Sequence, residues 1–96
     1  MIIELPSMVA GRGMADALVD RLAGELGGAL VVLDCRHLVA GSPSFAAQVV
    51  SRVLGAGAAE LRVEAAPDAF AAHLREAASR LGDRERLVLS EPAPSA

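Results

Sequence analysis

An aspartate and two serines stand near the middle of the chain, where each could do chemistry. Asp34 follows the apolar run Leu30 to Leu33, and Ser42 and Ser44 come after it on either side of Pro43. A carboxylate can hold loop amides or join a phosphate or metal site, and a serine hydroxyl can cap a helix or accept a phosphoryl group. Because metal sites need several convergent ligands, the isolated Asp34 is more typical of a residue that organises a loop.

Cys35 and His37 could suggest a thiol nucleophile with its base. Such a nucleophile needs a base and a third group that orients the base. Residues i and i+2 of an extended segment lie on the same side, so contact between Cys35 and His37 is possible, but catalysis or a metal pair is the disfavoured interpretation. We therefore expect Cys35 to be a small buried apolar residue. As the chain's only cysteine, it excludes an internal disulfide and any site built from several cysteines.

A phosphate-binding loop could be sought at Gly11-Arg12-Gly13. A dinucleotide fingerprint would need a further glycine where Asp16 stands, and a Walker A loop would need a following Lys-Ser or Lys-Thr. The segment instead indicates a flexible connection before a helix.

The elements that position these residues begin with Leu30 to Leu33, which predicts a central parallel strand. The run is unbroken, whereas a strand with one face in water alternates. Asp34 then lies at the carboxyl end of the strand, where open α/β sheets gather ligand and partner contacts.

A capped helix start follows this strand. Gly41 permits a turn, Ser42 can act as N-cap, and Pro43 suits the first helical position, where a missing N–H costs nothing. Ser44 is thereby predicted in the first turn, with its hydroxyl near solvent.

The whole chain predicts one α/β domain over residues 1–90, with the order βαβαβαβ, three helices and a mostly parallel four-stranded sheet. Residues 91–96 are expected to form a flexible tail. The alternation in Glu60 to Ala65 favours a strand near an edge of the sheet. We expect strands at Ile2 to Leu5, Leu30 to Leu33, Glu60 to Ala65 and Arg86 to Leu89, and helices at Met14 to Leu26, Pro43 to Leu54 and Pro67 to Leu81.

The second helix carries more apolar surface than one sheet face needs. Phe45, Val49 and Val53 form one stripe, and a second stripe lies beside it. Burial between neighbouring helices is the favoured explanation, and a partner surface beside Ser44 is the alternative.

Charge and hydropathy limit the classes of partner. The formal net charge is −3 and the nine basic residues, all arginine, are scattered, so no nucleic-acid footprint is indicated. No apolar run approaches the roughly 20 residues that span a bilayer, and the start of the chain lacks the basic region of a signal peptide. The default location is the cytoplasm.

The motif from Asp34 to Ala46 resembles the core of STAS and STAS-like domains, the group that includes anti-sigma factor antagonists. In those families an aspartate ends the strand and a serine about ten positions later opens a helix. Ser44 matches the serine that the antagonists present to a kinase, and Phe45-Ala46 fits the STAS-like variant. Pro43, in place of a serine, departs from the pattern. Classical STAS domains also carry an extra amino-terminal strand and carboxyl-terminal helix.

The resemblance implies a non-enzymatic regulatory domain of a bacterial partner-switching pathway, with no cofactor and Ser44 as the phosphoacceptor. The implied partners are an anti-sigma factor or a serine kinase of the histidine-kinase-like ATPase type. The expected partner-binding residues lie around the start of the second helix: Asp34, Leu38, Gly41, Ser42, Pro43, Ser44, Phe45 and Gln48.

Two alternatives remain open. One is a module that binds a nucleotide or another small molecule at the carboxyl ends of the strands and at residues 10–13. The other is an oligomerisation or scaffold domain, in which the apolar second helix forms a homodimer face.

Overall fold

Four parallel strands and three helices form the core of the structure, a computed structural model that describes residues 1–22 and 24–90. The main strands are β1 (Ile2–Glu4), β3 (Leu30–Asp34), β5 (Glu60–Glu64) and β6 (Leu87–Ser90). The helices are α1 (Arg12–Asp20), α2 (Pro43–Gly55) and α3 (Asp68–Arg80), and two short strands, β2 (Met8–Val9) and β4 (Ala40–Gly41), pair with each other. The predicted fold class is confirmed, while the predicted tail at 91–96 lies outside the described residues.

The sheet has the order β1-β3-β5-β6, so the strands stand side by side in the order of the chain. Right-handed crossovers between such strands place every helix on the same face, and α2 contacts both α1 and α3. This face carries the core residues Val31, Leu33, Leu61 and Val63, each at most 1% exposed.

Helix α1 is shorter than predicted. It begins at Arg12, because Gly11 turns the chain with φ 80°, and it ends at Asp20. Of the apolar residues spaced four apart that predicted a helix to Leu26, only Met14 and Leu18 therefore lie in the helix. Leu26 still reaches the core, 3% exposed, from a loop in which Gly24 has φ 92°. Burial of a leucine does not require the helix to continue.

The strand predicted near an edge of the sheet, at residues 60–65, is β5, which lies one position in from the edge strand β6. β5 lies inside the sheet, hydrogen-bonded to β3 on one side and β6 on the other. Its alternation arises because residues 1–22 and 24–90 leave the second face of the whole sheet uncovered. For the same reason β3, although central as predicted, leaves Leu30 45% exposed.

Helix α2 matches its predicted range closely. Its two apolar stripes are buried between α1 and α3, which is the explanation favoured from the sequence. Helix α3 ends at Arg80, and Leu81 is 46% exposed rather than part of the buried stripe. A short 3-10 helix, Arg84–Arg86, precedes β6. Within the part of the chain that the structure describes, no helix has the length and apolar character needed to cross a membrane.

Candidate functional site

The hydroxyl of Ser42 joins the starts of two helices. Its Oγ accepts a hydrogen bond from the backbone N–H of Phe45 in α2 and another from that of Gly11 before α1, each at 3.1 Å. The Ser44 Oγ lies 3.1 Å from the Ser42 Oγ. Because Ser42 already accepts two amides, its proton is the one that bridges the two hydroxyls. The N-cap prediction for Ser42 is confirmed, and the cap also holds α1 in place.

Ser44 stands exposed in the first turn of α2. Pro43 occupies the first helical position, as expected, and is exposed as well. The helix dipole and the free amides of this turn favour negative charge. A phosphoryl group on Ser44 would therefore meet a favourable field from the domain itself.

Asp34 holds the loop that follows β3. Its carboxylate accepts from the backbone N–H of Arg36 at 3.0 Å and from the Arg36 guanidinium, with the shortest ion-pair distance 2.9 Å. The backbone amide first, and then the guanidinium, lower the pKa of Asp34. The side chain is only 10% exposed. Its contacts hold the loop, as expected from the sequence.

Two residues assigned to the contact surface have buried side chains. Leu38 is 6% exposed, because its backbone N–H donates to the Cys35 carbonyl in a tight turn that directs the side chain inward. Phe45 is fully buried, with its ring centroid 6.1 Å from that of Phe70. These two side chains support the loop from below and do not reach its surface.

Two further residues of the predicted surface have partners within the domain. Gly41 lies against the ring of Phe70. Gln48 donates to the Asp16 carboxylate at 2.8 Å, next to Arg52, which bonds the same oxygen at 2.7 Å. The outward-facing residues of the predicted set are therefore Pro43 and Ser44.

Sequence reasoning missed two exposed apolar side chains on the segments that lead into this helix start. Met8 is 68% exposed and Val39 is 75% exposed. The short strands β2 and β4 bring the two segments together: Met8 pairs with Ala40, and the Val39 N–H donates to the Ser7 carbonyl at 2.7 Å. We call Met8 and Val39, with Pro43 and Ser44, the loop surface. Strands of two residues have no detectable periodicity, so nothing in the amino-acid pattern indicated this pairing.

The thiol and the imidazole do not form a reactive pair. Cys35 is fully buried, and burial raises the pKa of its thiol to about 12, with a further contribution from the charge of Asp34. His37 is exposed. The thiol therefore packs as the small apolar residue expected from the sequence.

One groove of about 450 Å³ lies between α3 and the carboxyl ends of β5 and β6. Its polar side chains are those of Asp68 and Arg75 on α3 and of Ser90 at the end of β6, and all three residues are exposed. Among the described residues, no group of three or more histidine, cysteine, aspartate or glutamate side chains is placed to hold a metal ion.

Compared with protein-family models, with curated proteins and with solved structures, the chain matches none of them.

Proposed function

We propose that this chain is a cytoplasmic, non-enzymatic protein-binding domain of the STAS-like type, which exchanges partners when Ser44 is phosphorylated. The partner would be an anti-sigma factor or a serine kinase of the histidine-kinase-like ATPase class. The loop surface is the proposed contact region.

The observation that carries this proposal is the exposure of Met8 and Val39 on two paired segments that lead into the start of α2, where Ser44 lies. These are the two most exposed large apolar side chains among the described residues. Both lie on segments fixed by backbone hydrogen bonds, so little conformational entropy is lost when a partner covers them. Exposed apolar side chains on fixed segments that precede a helix start with a modifiable hydroxyl suit reversible binding.

The position of Ser44 at the start of α2 supports a switch that acts through one phosphate. The group would add about 1.5 to 2 negative charges at the amino terminus of α2, where the helix favours an anion. The free domain therefore tolerates the modification. A partner packed over Met8 and Val39 would have to remove water from the phosphate, which opposes binding.

The topology gives less support to the small-molecule alternative. Ligands of open α/β sheets bind where the strand order reverses and neighbouring loops diverge to opposite faces. Here the order β1-β3-β5-β6 does not reverse. The polar residues of the groove beside α3, Asp68, Arg75 and Ser90, are all exposed to solvent, whereas a ligand pocket buries most of the ligand surface.

The test is to incubate the purified chain with ATP and a serine kinase of the histidine-kinase-like ATPase class from the same organism, and to locate phosphate by peptide mass spectrometry. Phosphate is expected on Ser44. Ser44→Ala should remove it, while Ser51→Ala, which replaces another exposed serine of α2, should leave it unchanged.

Binding provides a second readout. Met8→Ser and Val39→Ser together should weaken the complex with the same kinase, and phosphorylated wild-type chain should release it. A kinase that binds the domain but leaves Ser44 unmodified would overturn the switch. If the double substitution leaves binding unchanged, the loop surface is not the contact region. Sedimentation of the free chain across a dilution series measures its oligomeric state and so tests the homodimer alternative separately.

A further inference from the structure

The face of the sheet opposite the helices is uncovered and has an ordered pattern of side chains. The register places Ile2, Val32, Arg62 and Val88 in one row across the four strands. Ile2 is 64% exposed, and Val32 and Val88 are half-buried. Parallel sheets usually have both faces covered. This row, apolar except for Arg62, is thus a surface that the chain's described residues leave unpartnered.

A second row runs alongside the first and is acidic. Glu4, Asp34 and Glu64 occupy matching positions on β1, β3 and β5. Arg36 pairs with Asp34, and the charges of Glu4 and Glu64 also act on its guanidinium. Asp34 contacts this guanidinium, and the three carboxylates of the row outnumber it, which leaves the acidic row with an excess of negative charge.

The flanking carboxylates of that row have no ion pair within the described part of the chain. Arg36 is engaged by Asp34, and Arg62, the other basic residue on this face, is engaged by Glu60 at 3.1 Å. Glu4 and Glu64 are exposed on either side of Asp34. Glu4 and Glu64 lie on strands two spacings apart, so their Cα atoms are separated by about 10 Å.

The charge pattern identifies the kind of partner. A second copy of this chain would bring another acidic face, which is repulsive. An α-helix laid along the rows would place residues seven positions apart about 10.5 Å from each other on one side. Two lysines or arginines at that spacing would match Glu4 and Glu64, and an adjoining apolar stripe would cover Ile2, Val32 and Val88.

We propose that the uncovered sheet face docks a basic amphipathic helix from another protein, with its apolar stripe on the Ile2 row and its basic edge on the acidic row. This site lies on the opposite side of the domain from the helices. It does not depend on the function proposed for the loop surface.

A synthetic helical peptide of about 20 residues tests this directly. One version carries an apolar stripe with two lysines seven positions apart at its edge, and the matched version carries glutamates there. Fluorescence anisotropy should show binding of the lysine peptide alone, weakening with added salt. Amide chemical shifts should change at residues of the uncovered face, such as Glu4, Arg36 and Glu64.

Variants of the chain give the matched controls. Glu4→Gln with Glu64→Gln should weaken the lysine peptide about tenfold, whereas Glu76→Gln, on α3, should leave its affinity unchanged. Glu4→Lys with Glu64→Lys should instead bind the glutamate peptide. The proposal is overturned if the wild-type chain fails to bind the lysine peptide, if the Gln variants bind it as well as wild type, or if the shift changes map to the helices. Self-association abolished by Ile2→Glu would also overturn it, because the occupant would then be a second copy.

Discussion

The backbone of Gly41 lies directly against the ring of Phe70, so that a Cβ atom at position 41 would stand 2.4 Å from Phe70 Cδ1 and 2.6 Å from Cε1. Phe70 is only 1% exposed and packs on Phe45. The loop that carries Ser42 and Ser44 is therefore fixed from beneath by the aromatic core.

Gly41→Ala should destabilise the domain, because the added methyl group would overlap the buried ring of Phe70. We expect a loss of about 1–3 kcal/mol in the free energy of unfolding, measured by urea denaturation. Gly13→Ala is the matched control: no atom lies within 4 Å of the added methyl group, and the residue is helical. It should leave stability unchanged or raise it by about 0.5–1 kcal/mol.

A double substitution separates steric overlap from other effects. In a Phe70→Leu background, Gly41→Ala should cost less than it does alone, because the smaller side chain leaves room. If Gly41→Ala lowers the free energy of unfolding equally in both backgrounds, overlap with the Phe70 ring is not the cause.

Ser42→Ala should lower the free energy of unfolding by about 1–2 kcal/mol, since it removes the N-cap of α2 and the acceptor of the Gly11 amide. The Gly11 amide should also exchange its hydrogen faster in the variant. Ser44→Ala removes an exposed hydroxyl and should change stability by less than about 0.5 kcal/mol. If both variants unfold at the same urea concentration, the bridging role of Ser42 is wrong.

Stability should fall in acid through Asp34 and Asp16. Hydrogen bonds from Arg36 lower the pKa of Asp34, and those from Gln48 and then Arg52 lower the pKa of Asp16. Because both folded-state pKa values lie below the ordinary value of 3.8, these carboxylates stabilise the fold above that pH. The contribution is lost as the pH falls through 3.8 toward the folded-state pKa values.

Urea unfolding at pH values from about 5 to about 2.5 measures this loss. Asp16→Asn with Asp34→Asn should be less stable than wild type at the upper end and should show a shallower decline with pH. A decline as steep as that of the wild type would show that other groups cause the acid sensitivity.

The Cys35 thiol should be unreactive while the domain is folded. It is fully buried, and its pKa of about 12 keeps it protonated at neutral pH. With an aromatic disulfide reagent, the reaction should be slower than in urea by a factor of about 10³ or more. His37→Cys in a Cys35→Ala background places a thiol at an exposed position and should react quickly. Equal rates at the two positions would mean that the turn after β3 opens readily.

The sequence predicted correctly those features that depend on residues close together in the chain. The unbroken run before Asp34 predicted the central strand, and the Ser42-Pro43 pair predicted the helix start, since capping and the missing proline N–H act within a few residues. The order of strands and helices then led to the parallel sheet.

Features that depend on distant contacts were not predictable in this way. The alternation in β5 reports only that one face meets water, and it does not distinguish an edge strand from an inner strand of a half-covered sheet. The inward position of Leu38 depends on a local turn, and the exposure of Met8 and Val39 depends on the pairing of two very short strands. The acidic row becomes visible only once the register joins Glu4, Asp34 and Glu64.

Because the strands are arranged in the sheet in the order of the chain, each one pairs with a strand only one crossover away. No pairing requires the two ends of the chain to meet. The loops that must close during folding are therefore all of moderate length, and successive strand-helix units can add to an existing edge. Assembly is expected to spread outward from β3, α2 and β5, with β6 joining a sheet that has already formed.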